Sequence, residues 1–91
     1  MEKKLYLWAV TYRERVLRVF TPERQDERWW PETTEQHVGP EDGRAVVDRV
    51  VRRSLGRQWT DEEDASECLV NSVRLLKLER ITHVDVACDL S

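Results

Sequence analysis

The sequence predicts a small α+β domain, an antiparallel sheet with two α-helices packed on one face. Three observations carry that reading. Period-2 alternation marks both ends of the chain, helical spacing of apolar residues marks two segments between them, and 91 residues leave room for one core. The expected order is β-β-(β)-α-α-β within a single domain spanning residues 1–91.

Residues 4–12 and 15–21 are rich in β-branched and aromatic side chains and read as strands. Arg13-Glu14 between them predicts an N-terminal hairpin, although neither residue is the Gly or Asn that two-residue turns favour. Such a hairpin pairs Thr11 with Val16 and Leu7 with Phe20. Alternation then places Tyr6, Trp8, Val10 and Tyr12 beside Leu17 and Val19 on one face. Leu5, Leu7 and Ala9 join Val16 and Phe20 on the other, with Arg18 among them. Both faces are apolar enough to be buried, yet a domain this small rarely covers both.

Residues 22–43 form a polar loop punctuated by Pro22, Pro31, Gly39, Pro40 and Gly43. So long a connection is seldom wholly irregular in a compact domain, and residues 33–38 are expected to add a short third strand. The neighbours Trp29 and Trp30 point to opposite sides of any extended chain. One suits the core, and the other is left for a partner or for covering a sheet face.

Val46, Val47, Val50, Val51 and Leu55 recur at helical spacing, with Gly56 as a stop, and predict the first helix. Arg49, Arg52 and Arg53 lie on its opposite side. Thr60-Asp61-Glu62-Glu63 has the form of a capping box and predicts the start of a second helix. Ala65, Cys68, Leu69, Ser72, Val73, Leu75 and Leu76 make its inward stripe, with Val70, Arg74 and Lys77 on the polar side and an end near residues 77–79. Residues 82–90 then alternate as a strand expected beside the N-terminal hairpin, with Val84, Val86, Cys88 and Leu90 facing in.

Composition excludes several classes of function. At 40% hydrophobic and 36% charged the chain is too apolar for disorder, and no apolar run approaches the ~20 residues of a membrane-spanning helix. Met1-Glu2-Lys3-Lys4 brings no apolar leader segment, so a soluble cytoplasmic protein is expected. Cys68 and Cys88 form no C-x-x-C pair, and with His37 and His83 they have no recognised metal-ligand spacing. Neither metal nor cofactor is expected. The chain carries no phosphate-binding glycine loop, nucleophile elbow or H-E-x-x-H motif. His83 and Asp85 share a strand face at acid–base spacing but have no third partner, so an enzyme is not expected.

Two surfaces remain. Tyr6, Trp8, Tyr12, Trp29 and Trp30 are interface-anchor residue types, and Asp61, Glu62, Glu63, Asp64 and Glu67 make an acidic patch that could steer association with a basic groove. Together they point to a non-enzymatic protein-interaction module, a small regulator or inhibitor occupying the surface of a larger protein or nucleic-acid-processing complex. Phage anti-defence proteins and antitoxins exemplify that size class. The alternative is an RNA- or single-stranded-DNA-binding module, stacking bases on Tyr6, Trp8 and Tyr12 and holding phosphates with Arg13, Arg15, Arg49, Arg52 and Arg53. A net charge of −3 disfavours it. The third class is a homodimer formed through a sheet edge or face.

Overall fold

The computed structural model describes residues 4–84. It has five antiparallel strands and one helix: β1 (Leu5–Thr21), β2 (Arg24–Trp29), β3 (Thr33–Gly39), α1 (Arg44–Ser54), β4 (Gln58–Asp61) and β5 (Ser66–Val84). This corrects the two-helix α+β expectation. The molecule is a long slab, 57 × 28 × 18 Å, built around two strands of 17 and 19 residues.

No turn forms at Arg13-Glu14. β1 runs straight through, because nothing there favours a turn and the alternation of Tyr6, Trp8, Val10, Tyr12, Glu14, Val16 and Arg18 never changes phase. The first reversal comes at Pro22-Glu23, where proline's fixed φ suits a tight turn and Thr21 Oγ1 accepts the Arg24 amide hydrogen at 3.0 Å. Most of the expected 22–43 loop is therefore strand. β2 pairs with the C-terminal half of β1 and β3 with its N-terminal half, both antiparallel, with Pro31 in the gap between them. The Trp30 amide still reaches β1, donating to the Glu14 carbonyl at 2.8 Å.

The expected second helix is absent among the described residues. Thr60 lies in β4, and Glu62 to Ala65 turn a hairpin into β5, with Ala65 left-handed at φ 51°. Asp61 Oδ1 accepts the Glu63 amide hydrogen at 3.1 Å, a turn-forming bond where a helix cap was expected. The whole of Ser66–Val84 is one strand, so no separate terminal strand begins at residue 82; the remainder of that expectation, residues 85–90, lies outside the described residues. β5 pairs antiparallel with β1 along its length, and the sheet order is β2-β1-β5-β4 with β3 also on β1.

α1 crosses one face of this sheet. Val46 and Val50 are fully buried on Trp8, Val10 and Tyr12, with Tyr6, Val73 and Leu78 at the margin. The aromatic face of β1 is thus core. A second cluster sits further along the same face, where Trp30 and Trp59 cover Val16, Cys68 and Val70. Cys68 is a buried free thiol, and Cys88 lies outside the described residues.

Several charged groups on the covered face are paired. Glu14 meets Arg57 at 3.2 Å, and Arg18 reaches Asp61 and Asp64 on the hairpin turn. Glu35 accepts from Tyr12 Oη at 2.6 Å and from Arg53 at 2.6 and 2.7 Å, with His37 Nε2 at 2.9 Å. Burial works to raise the Glu35 pKa, but the hydrogen bonds from Tyr12, Arg53 and His37 and the Arg53 charge outweigh it and bring it from 4.5 to about 2. Burial, together with the Glu35 carboxylate, raises the Tyr12 pKa. A carboxyl that binds protons less well when folded stabilises the fold above its unfolded pKa, and that contribution fades as pH falls through the folded value. Glu35→Gln should therefore cost about 1–2 kcal/mol at neutral pH, a figure reduced for partial exposure. Denaturant titrations should show the gap closing as pH falls from 4.5 towards 2.

Candidate interaction surface

Helix α1 covers one side of the sheet, and no described element packs on the other. The register identifies what that open side presents. Leu7 stands opposite Val38 and Thr82, Thr11 opposite Thr34 and Lys77, and Leu17 opposite Glu27 and Leu69. Leu17, Val19 and Leu69 line a shallow concavity of about 350 Å³ with Gln58, Thr60 and Glu67.

The centre of this face is basic and aromatic. Arg13 on β1 lies directly opposite Arg74 on β5, and Arg15 lies opposite Trp29 on β2. The Trp29 ring is flanked by two guanidinium groups, Arg74 at 4.6 Å and Arg15 at 5.8 Å from its centroid. Arg15 is held by Asn71 Oδ1 at 3.0 Å and lies 3.8 Å from Glu27, which accepts from Asn71 Nδ2 at 3.0 Å. Arg13 Nε donates to the Trp30 carbonyl at 2.9 Å. Among the described residues, neither Arg13 nor Arg74 has a carboxylate partner. Like charges directly across a sheet are destabilising. An anionic group placed between them would relieve that repulsion and gain bidentate hydrogen bonds.

The residues expected to bind separate into groups. Trp29, Arg13 and Arg15 come together on the open face. Tyr6, Trp8 and Tyr12 lie under or beside α1, so the expectation that they face a partner or stack bases is corrected. Trp30 packs on Trp59 at 6.4 Å between ring centroids. The arginine line of α1 is largely committed: Arg52 pairs with Asp48 and Arg53 with Glu35, leaving Arg49 a 3.5 Å contact to the Val38 carbonyl. The acidic patch sits at a hairpin turn, with Asp61 and Asp64 engaged by Arg18 and Glu62, Glu63 and Glu67 exposed. His83 stacks edge-on against Tyr6 at 5.7 Å, and Asp85 lies outside the described residues.

Compared with family models, curated proteins and solved structures, the chain shows no match. Arg74 is the participant that sequence reasoning missed, since a helical reading of residues 60–79 sets it among polar surface residues. Among the described residues, no three His, Cys, Asp or Glu side chains stand close enough to hold a metal ion. No helix there is long and apolar enough to cross a membrane.

Proposed function

We propose that this chain is a non-enzymatic interaction module, a small cytoplasmic regulator or inhibitor that seats its open sheet face on an acidic surface of a larger protein. The apposition of Arg13 and Arg74 beside Trp29 carries the reading. Arginine and tryptophan are the residue types that dominate interface energetics, and here they sit on a rigid sheet, with half-buried Leu17, Val19 and Leu69 further along the same face. Nucleic acid is the weaker candidate. Trp8 and Tyr12, expected to stack bases, are packed in the core, two of the four α1 arginines are paired, and the chain is acidic overall.

Titrating the chain with labelled oligoglutamate and with oligothymidylate at low and moderate salt tests the proposal. The peptide should bind at low salt, and Arg13→Glu/Arg74→Glu should weaken it by about a hundredfold. Peptide binding that ignores the double substitution overturns the reading. Tighter binding to the oligonucleotide, lost in the same variant, replaces it with single-strand recognition.

A further inference from the structure

Among the described residues, β5 leaves most of its outer edge open. β4 pairs with it only over Ser66–Leu69, and the main chain at Val70 bonds Gly56 and Arg57 at 2.9 and 3.0 Å. From Asn71 onward, no described strand pairs with that edge, although the inner edge is paired with β1 throughout. An open edge of this length is a template for another strand, and soluble proteins normally blunt one with proline or a run of charge. This one carries no proline; its charges, Arg74, Lys77, Glu79 and Arg80, are of mixed sign, and the bulges at Leu76 and Ile81 leave Lys77–Arg80 as its regular stretch. Leu75, Leu76 and Ile81 lie along it, with Leu55 at the end of α1 where the β4 pairing stops, and these are four of the five large hydrophobic side chains exposed among the described residues. Beside the edge, Val47 and Val51 of α1 and Leu78 line an apolar groove of about 430 Å³, bordered by Arg44 and Asp48.

We infer that the occupant is a second copy of this chain, paired antiparallel edge to edge about a two-fold axis at Leu78. An axis normal to the sheet sets one residue against itself, so the sequence chooses the centre. At Leu78, Lys77 of each copy stands opposite Glu79 of the other; the two already pair within each chain at 3.2 Å, so the four charges alternate in sign across the seam. Moving the centre one residue either way sets Lys77 against Lys77 or Glu79 against Glu79. The Leu78 register alone among the three sets each of these charges opposite its counter-charge. The same axis keeps both α1 helices on one side of the joined sheet, where the apolar grooves meet over Leu78. The inference is separable from the acidic-partner reading: of that reading's residues only Arg74 lies on β5, and it is not one of the central pairs.

Sedimentation equilibrium of the full chain tests it. The wild type should be a dimer, and Lys77→Glu and Glu79→Lys should each weaken dimerisation about tenfold, since each turns two attractive cross-strand pairs repulsive. The double swap Lys77→Glu/Glu79→Lys should restore it, because opposite charges then face each other again. Both positions are exposed, so folding is not at stake. Arg13→Glu should leave dimerisation unchanged. A monomeric wild type overturns the inference. So do single swaps without effect, or a double swap no better than either single.

Discussion

Trp8→Ala should lower the unfolding free energy by about 4 kcal/mol, bringing a domain of this size close to its stability limit. The indole does more than fill volume. Nε1 donates to the Pro40 carbonyl at 2.9 Å, and Cδ1 approaches Gly39. The six-membered ring lies against Gly43, with Cη2 3.1 Å from where a Cβ on that residue would stand. One side chain thus holds the entire connection that carries the chain from β3 into α1. Removing it opens a cavity beneath the helix N-terminus and orphans a carbonyl. Urea titration followed by circular dichroism should show a lower midpoint with an unchanged slope. Trp8→Phe separates the two contributions: it keeps most of the packing, loses the hydrogen bond, and should cost about 1–2 kcal/mol.

The two long strands show what the sequence can and cannot convey. β1 is legible as strand but not as a single one: Tyr6 through Arg18 fall on one face at every second residue with no bulge among them, where the sequence predicts a turn at Arg13-Glu14. β5 is its partner but carries three bulges, at Asn71, Leu76 and Ile81. Its covered-face residues are Cys68, Val70, Val73, Leu75, Leu78, Arg80 and His83, spaced alternately two and three apart. That rhythm imitates a helical stripe. A capping-box sequence at Thr60 then supplies a false start, since the same carboxylates serve a hairpin turn and the buried Arg18. Local signals agree with each other and disagree with the fold because pairing to β1 supplies far more than helix propensity can. The prolines and glycines of residues 22–43 were legible as punctuation. What they punctuate is strand: a turn at Pro22, a break at Pro31 and the helix entry at Gly43.

Charge was visible in sequence only as blocks, basic over residues 1–20 and acidic over 61–91. The sheet divides the basic block by face. Arg18 points to the covered side and is paired with the acidic turn, while Arg13 and Arg15 point to the open side. The candidate surface was therefore half legible: its β1 arginines and Trp29 could be named, but Arg74 joins them only through a pairing that spans sixty-one positions of sequence between Arg13 and Arg74. Arginines so far apart in the chain and so close in space are held there by the ladder, whatever their mutual repulsion costs. Such a cost, retained on an otherwise well-paired sheet, is the kind of local conflict expected of a binding site.

Gly39→Val should cost about 3 kcal/mol or more, for a reason distinct from that governing the other glycines. Gly39 is buried at the end of β3 with no positive φ, so its backbone would accept any residue. What forbids one is α1: a Cβ there would overlap Val46 Cγ2, whose side chain is fully buried and, being β-branched in a helix, has little rotamer freedom. The helix must lift from Trp8 or β3 must detach from β1. Gly56 is the converse case, at φ +80° with nothing near its missing Cβ, and Gly56→Ala should cost only about 1 kcal/mol of backbone strain. A double-mutant cycle isolates the contact. Gly39→Ala and Val46→Ala each destabilise alone, one by overlap and one by cavity, but together the new methyl enters the space the old ones left. The pair should be more stable than the sum of the singles by about 1 kcal/mol or more. Strict additivity would mean that the close approach of α1 to β3 is not what keeps residue 39 a glycine.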